Sequence, residues 1–167
     1  MDEAKIISKE IIHQRNYKIL KEDTDEILTK RLDGEKVYFF FVNVPKMNID
    51  IIKEYIQRVE TEHIKHVIII YKNIITAMAK STIQTLDNIK IQLFAARELQ
   101  CNITKHRLVP LHEKVNEKEA ATILKKFGTK LPKLLKSDSV VRFYGFERKD
   151  IIRVTRSDSS IAYRIIR

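Results

Sequence analysis

Residues 37–44 read VYFFFVNV and residues 66–71 read HVIIIY. Each is a nearly unbroken apolar run of strand length, rich in β-branched and aromatic side chains. Such a run has no solvated face, so it reads as a strand covered by packing on both sides, as in parallel sheets. Pro45 ends the first run, because proline cannot donate to a central ladder. Between the runs, Ile51, Ile52, Tyr55, Ile56 and Val59 recur at i, i+1, i+4, i+5 and i+8 behind Asn48 or Asp50 as N-caps, which predicts an amphipathic helix over 48–62. A helix over 76–86 and a strand over 90–94 follow. Strands alternating with helices predict an α/β fold, a mixed sheet with a parallel component joined by right-handed crossovers.

Working outward, Ile6, Ile7, Ile11, Tyr17 and Leu20 lie at mostly helical spacing and predict a helix over 3–20. A second helical pattern covers 25–32, and Gly34 breaks it. The second half of the chain reads differently. Residues 101–112 have no helical period. Asn116 caps a helix over 117–127 that Gly128 ends. Pro132 lies in a loop. Three short apolar segments, 140–146, 150–154 and 162–166, are bounded by turn residues and predict a small sheet of antiparallel hairpins. The expected architecture is an α/β domain over 1–98 and a small α+β domain over 99–167.

Charge separates the same halves. Residues 1–99 carry 16 Lys and Arg against 15 Asp and Glu, whereas residues 100–167 carry 16 against 7. A basic module usually faces nucleic acid or an acidic partner surface, and a solvated basic surface is the competing explanation.

Most catalytic and cofactor chemistries lack their residues. The three glycines, Gly34, Gly128 and Gly145, are too dispersed for a phosphate-cradling loop. The single cysteine, Cys101, excludes a disulfide framework and multi-cysteine metal sites, fits a reducing compartment, and is expected to be a buried structural residue. His63 and His66 are three apart without an HExxH pattern, so surface or capping roles are expected and no metal. No serine sits in a GxSxG elbow. A metal-dependent nuclease needs carboxylates on its central strands to hold Mg²⁺ and a water, and the two apolar runs carry none. Asp33, Glu35 and Lys36 are a weak trace of such a cluster that a turn explains more simply. Glu147 and Lys149 have the (D/E)xK spacing but fall in an expected hairpin turn. The N-terminus, MDEAKIISKE, has no apolar signal region, and no apolar run is long enough to cross a membrane. No cofactor and no small-molecule substrate is expected.

One constellation remains. Residues 102–112 read NITKHRLVPLH, an extended, Pro-containing stretch with His106 and His112 six apart. Leu108 and Val109 are expected to pack inward, Pro110 to stiffen the chain, and the imidazoles to bond backbone groups that an irregular segment leaves unpaired. Farther on come Leu131-Pro132, then Arg142, Tyr144 and Gly145, then Arg153 and Arg156, then Tyr163-Arg164.

This order of motifs resembles the fifth subunit of eukaryotic DNA-directed RNA polymerases and its archaeal counterpart, a short chain that consists of little more than this second half. The first half is similar to the eukaryotic N-terminal domain through Phe39-Phe40-Phe41-Val42, Pro45-Lys46, Tyr55-Ile56-Gln57-Arg58-Val59 and Thr76-Ala77-Met78-Ala79-Lys80. The sequence departs from the family at Ala77 and Ser139, where the family has proline, at Lys149-Asp150 in place of an Arg-Gly turn, and in a shorter loop between Arg156 and Tyr163. The compact form, with 26 Ile against 12 Leu, fits a homologue encoded by a large DNA virus.

The resemblance implies a non-catalytic subunit. Its C-terminal domain would anchor on the largest polymerase subunit, and its N-terminal domain would form part of the jaw facing downstream duplex DNA. His106, Leu108, Val109, Pro110, His112, Leu131, Pro132, Arg142, Tyr144, Gly145, Arg153, Arg156, Tyr163 and Arg164 carry the assembly signature. Arg142, Arg153, Arg156 and Arg164 are the expected forks for acidic groups of that subunit. Leu108, Val109, Pro110, Leu131, Tyr144 and Tyr163 are expected to serve the small core as well. Lys46, Lys72 and Lys80 are the expected DNA-phosphate contacts, with solvated lysines the competing reading. Two other classes stay open: a stand-alone basic nucleic-acid-binding protein and a degenerate nuclease. The implied location is with the polymerase, in virion and host cytoplasm for a viral form and in the nucleus for a cellular one.

Overall fold

The computed structural model describes residues 1–86, 88–128 and 130–167. The chain divides into two compact units, Met1–Cys101 and Asn102–Arg167.

The first unit begins with helix α1 (Asp2–Gln14), acidic in its first turn and with His13 in its last, as the helix dipole favours. The helix stops well short of residue 20. Asn16 takes the left-handed conformation (φ 54°), and the Tyr17 N–H folds back to the Ile12 carbonyl, so Tyr17 and Leu20 leave the helix. Leu20 belongs instead to β1 (Lys18–Glu22), which pairs antiparallel with β2 (Glu26–Lys30). The helix expected over 25–32 is thus a strand. Ile27 and Thr29 are buried at a period of two, and the Thr29 hydroxyl donates to the Val37 carbonyl. Leu28 and Leu32 mimic helical spacing, yet Leu32 is 88% exposed.

A turn at Gly34 (φ 95°) leads into β3 (Lys36–Val42). Asp33 and Glu35 serve this turn: Asp33 accepts the Glu35 N–H, and Arg31 pairs with both carboxylates. Then follow β4 (Lys46–Met47), α2 (Ile49–Thr61), β5 (His66–Tyr71), β6 (Ile74–Ile75), α3 (Ala77–Thr85), β7 (Lys90–Ala95) and a 3-10 turn, Ala96–Leu99. Asn48 caps α2 through the Ile51 N–H, and Thr76 caps α3 through the Ala79 N–H.

The five-stranded sheet runs β1-β2-β3-β5-β7, antiparallel up to β3 and parallel from β3 to β7. The mixed α/β character follows from the two apolar runs. Tyr38, Phe40, Val42, Val67 and Ile69 face a core shared with Ile52 and Val59 of α2 and Ala79 and Ile83 of α3. The alternate residues Val37, Phe39, Phe41, Ile68 and Ile70 are equally buried on the opposite face. There Lys5 of α1 lies over the Phe41 ring at 5.6 Å. Arg58 of α2 clamps the antiparallel side, with Glu26 at 2.5 Å and the Tyr38 and Phe40 rings beneath its guanidinium. The Tyr38 hydroxyl donates to Glu62, and burial followed by that carboxylate pushes its pKa up.

In the second unit, a 3-10 turn (Ile103–Lys105) precedes β8 (Leu111–Lys114), α4 (Glu117–Phe127), β9 (Lys133–Leu134), α5 (Ser139–Tyr144), β10 (Ile151–Thr155) and β11 (Ile161–Ile166). The segment expected as a strand over 140–146 is α5. Asp138 caps it by accepting the Val140 and Val141 N–H groups. Gly145, left-handed at φ 72°, closes it, and the Phe146 N–H returns to the Val141 carbonyl. Glu147 and Lys149 accordingly lie in the helix-to-strand connection, not in a hairpin turn, and Lys136 pairs with Glu147.

The sheet order is β8-β10-β11-β9. β8, β10 and β11 are antiparallel, whereas β9 joins β11 in parallel, which a run of hairpins cannot produce. One core gathers Val115, Ile123, Leu131, Ile151 and Ile165, and the other Val141, Ile152, Val154 and Ile166.

Candidate assembly and nucleic-acid surfaces

The irregular stretch after Asn102 is held by local bonds. Asn102 is buried, and its side-chain oxygen accepts from the Thr104 N–H at 2.9 Å and the Thr104 hydroxyl at 2.6 Å. His106 takes the Leu108 N–H on Nδ1 at 3.3 Å, and its carbonyl takes the Val109 N–H at 2.8 Å. His112 places Nδ1 2.8 Å from the Pro110 carbonyl, so Nδ1–H donates there. Both imidazoles therefore fasten backbone on either side of Leu108-Val109-Pro110.

Inward packing of Leu108 is not what the fold does with it: Leu108 is 76% exposed, while Val109 and Pro110 are half-buried. The segment turns its apolar edge outward and forms one wall of a groove. Arg107, Leu108, Val109, Pro110, Leu111, Thr155, Arg156 and Ser157 line it, around about 530 Å³. Of the signature residues, Leu108, Val109, Pro110 and Arg156 come together here.

The others take different places. Leu131 is in the core, and the Pro132 carbonyl accepts the Ile165 N–H. Tyr144 stacks on Phe146 at 5.0 Å, and Tyr163 packs against the Val115–Ile165 core with Phe127 6.2 Å away. Arg142 is half-buried on α5, and Arg164 is half-buried opposite Ile152. Arg153 is engaged within the unit, with Glu113 at 3.2 Å and Glu119 at 3.5 Å. Sequence reasoning missed Arg107, which stands between the motif residues rather than among them; its place in an exposed turn was the available signal.

In the first unit, Lys46 lies in β4, Lys72 just after β5 and Lys80 in α3, all exposed. The topology brings their backbones to the carboxyl ends of the parallel strands. Lys46 pairs with Ile74, the Lys72 N–H donates to the Val42 carbonyl, and the Lys80 N–H donates to Thr76.

Cys101 is exposed, not buried. His63 is exposed beyond α2 with φ 55°, but His66 is buried within β5, so the two do not share a surface. Burial and the nearby charges of Lys90, Arg15 and Arg31 push the His66 pKa down to about 3. Among the described residues, no three His, Cys, Asp or Glu gather to hold a metal ion, and no helix is long and apolar enough to cross a membrane.

Residues 101–166 match the family model for the RNA polymerase Rpb5 C-terminal domain. A DNA-directed RNA polymerase subunit of Invertebrate iridescent virus 6 is 30% identical over 96% of this chain and 96% of its own length. The chain belongs to the Rpb5 family of DNA-directed RNA polymerase subunits. It is also similar to DNA-directed RNA polymerase V subunit 5A of Arabidopsis thaliana, 31% identical over 78% of this chain, and spans 61% of that protein's length. The subunit rpabc1 of RNA polymerases I, II and III of Dictyostelium discoideum is 29% identical over 78% of this chain and 72% of its own.

Proposed function

We propose that the chain is a non-catalytic subunit of a multisubunit DNA-directed RNA polymerase, anchored to the largest subunit by its second unit and contributing its first unit to a jaw near downstream duplex DNA. The observation that carries this is the alignment with the viral polymerase subunit along 96% of both chains, which takes in both units rather than one. Supporting it, the second unit concentrates the chain's basic excess, which suits docking on an acidic subunit surface. Arg142, Arg156 and Arg164 stay candidates for that surface, whereas Arg153 already has two carboxylates.

Lys46, Lys72 and Lys80 are the proposed contacts to downstream DNA. Exposed ammonium groups reach phosphates, position the duplex and read no sequence. Nucleotidyl transfer then belongs to other subunits, and the protein resides wherever its polymerase does.

The test is affinity purification of the tagged chain from its native source, with mass spectrometry of what co-elutes. Recovery with two large polymerase subunits in equal proportion is expected. Recovery alone with nucleic acid attached overturns the subunit reading in favour of a free DNA-binding protein.

A further inference from the structure

The strand register of the first unit lines up lysines across the sheet. Lys18 of β1 is the direct cross-strand partner of Lys30 in β2, and Lys30 is the partner of Lys36 in β3. Val37 of β3 pairs with His66 of β5, so Lys36 and Lys65, one residue earlier on each, continue the same line. The ladder still holds there, because the Lys65 carbonyl accepts the Lys90 N–H of β7. Directly paired residues share a face of the sheet, and so do alternate residues along a strand. Leu28, Tyr38 and Val67, two residues from Lys30, Lys36 and Lys65, all belong to the core under α2 and α3. The four lysines therefore stand on that face, where it ends at the amino ends of β3 and β5, and all four are exposed.

Like charges directly opposite one another weaken a ladder. Among the described residues, none of the four lysines has a carboxylate within ion-pair distance. Acids close to them in the chain are engaged elsewhere. Asp33 and Glu35 hold Arg31, and Glu62 accepts the Tyr38 hydroxyl and pairs with Arg58. Lysines also guard sheet edges against pairing with other chains. That accounts for Lys18 on the edge strand β1. It does not account for Lys30, Lys36 and Lys65, whose strands have neighbours on both sides.

We propose that this line of lysines binds the phosphate backbone of a nucleic acid without reading its sequence. Adjacent strands spread the four charges over about 15 Å, and an ammonium is a point charge that meets phosphate from many directions. An acidic protein surface fits less well, because protein interfaces are depleted of lysine and close around an apolar centre. Leu32, exposed in the turn between Lys30 and Lys36, is one side chain and not a patch. The site is separate from Lys46, Lys72 and Lys80 at the carboxyl ends of the parallel strands, and it does not rest on the polymerase reading.

Acetylation of lysines in the purified full chain, read residue by residue by mass spectrometry, tests this site. The chain is labelled free, with a short DNA duplex and with the matching single strand. Labelling at Lys18, Lys30, Lys36 and Lys65 should fall together with one form or both, while Lys53, exposed on α2 between Asp50 and Glu54, keeps its labelling. Replacing all four by Gln should lower the slope of log affinity against log salt by about 3 to 4 for the duplex, or by about 3 for the single strand. The four-Arg variant keeps the charge and should keep the slope. Removing the repulsion should leave the melting temperature of the Gln variant unchanged or higher.

Labelling that stays the same with both nucleic acids, an equal fall at Lys53, or an unchanged slope overturns the site. A lower melting temperature does so too, by making the lysines part of the fold. Equal protection by a polyglutamate peptide overturns it in favour of an acidic protein partner. The same map separates the two DNA contacts. Protection of Lys46, Lys72 and Lys80 alone sinks the cross-strand line and leaves the jaw contacts standing, and the opposite pattern does the reverse.

Discussion

His66 lies directly across the parallel ladder from Lys90, and its imidazole is only 2% exposed. The strand that fixes the first unit's core therefore starts with a titratable group that the fold keeps neutral. An unfolded chain takes up a proton on this histidine near pH 6.5, whereas the folded one resists until about pH 3. The stability this difference supplies is complete above the unfolded value and drains away as pH falls from about 6.5 towards 3. His66→Phe removes the titration while keeping an apolar ring. Between pH 7 and 4.5 the parent should lose about 2 kcal/mol more than the variant, read as the difference in urea midpoints. Parallel losses would show that His66 is not the acid-sensitive group.

Gly145 carries α5 into its left-handed closure. Gly145→Ala adds a Cβ where L-residues are strained and should lower the second unit's stability by about 1 kcal/mol. Amide exchange resolves the two units. Faster exchange confined to residues 102–167 is expected, and equal change in both units would contradict a local cap.

Arg153 tests the difference between a contact residue and a brace. Its guanidinium is partly exposed between Glu113 and Glu119, so its removal should destabilise modestly, by about 0.5 to 1 kcal/mol. Arg153→Met should lower the melting temperature by a few degrees, while the folded fraction still assembles with its partner. Lost assembly at unchanged melting temperature would return Arg153 to the interface.

The lysines at the strand ends predict a salt effect. If Lys46, Lys72 and Lys80 each meet a phosphate, replacing all three by Gln lowers the slope of log affinity against log salt by about 2 to 3 for duplex DNA held by the assembled enzyme. An unchanged slope would assign them to bulk solvent.

Legibility followed the strength of the local signal. The two apolar runs, the caps at Asn48 and Asn116, and the interruption at Gly34 are readable, because burial on both faces and capping leave marks within a few residues. β2 and α5 were misread for opposite reasons. Leu28 and Leu32 imitate a helical stripe, and only pairing with β3 selects Ile27 and Thr29 for burial. Residues 139–144 are mostly β-branched and aromatic, yet Asp138 and Gly145 bracket one short helix. The motif 102–112 was recognisable as unusual, but its outward-facing leucines were not. Which side of an irregular segment meets solvent depends on the strands it crosses, and β10 lies some 40 residues away.

The parallel pairing of β9 with β11 bears on how the protein is made. Lys133 and Leu134 gain their strand partners only when Ile165 and Ile166 arrive, and Leu111 must wait for Thr155. No strand of that sheet finds a partner before Ile151–Thr155 is made, whereas the strands of the first unit all precede residue 96. On the ribosome the first unit can fold while its neighbour is still being translated. The basic second unit completes its sheet later, when Ile161–Ile166 joins both β10 and β9.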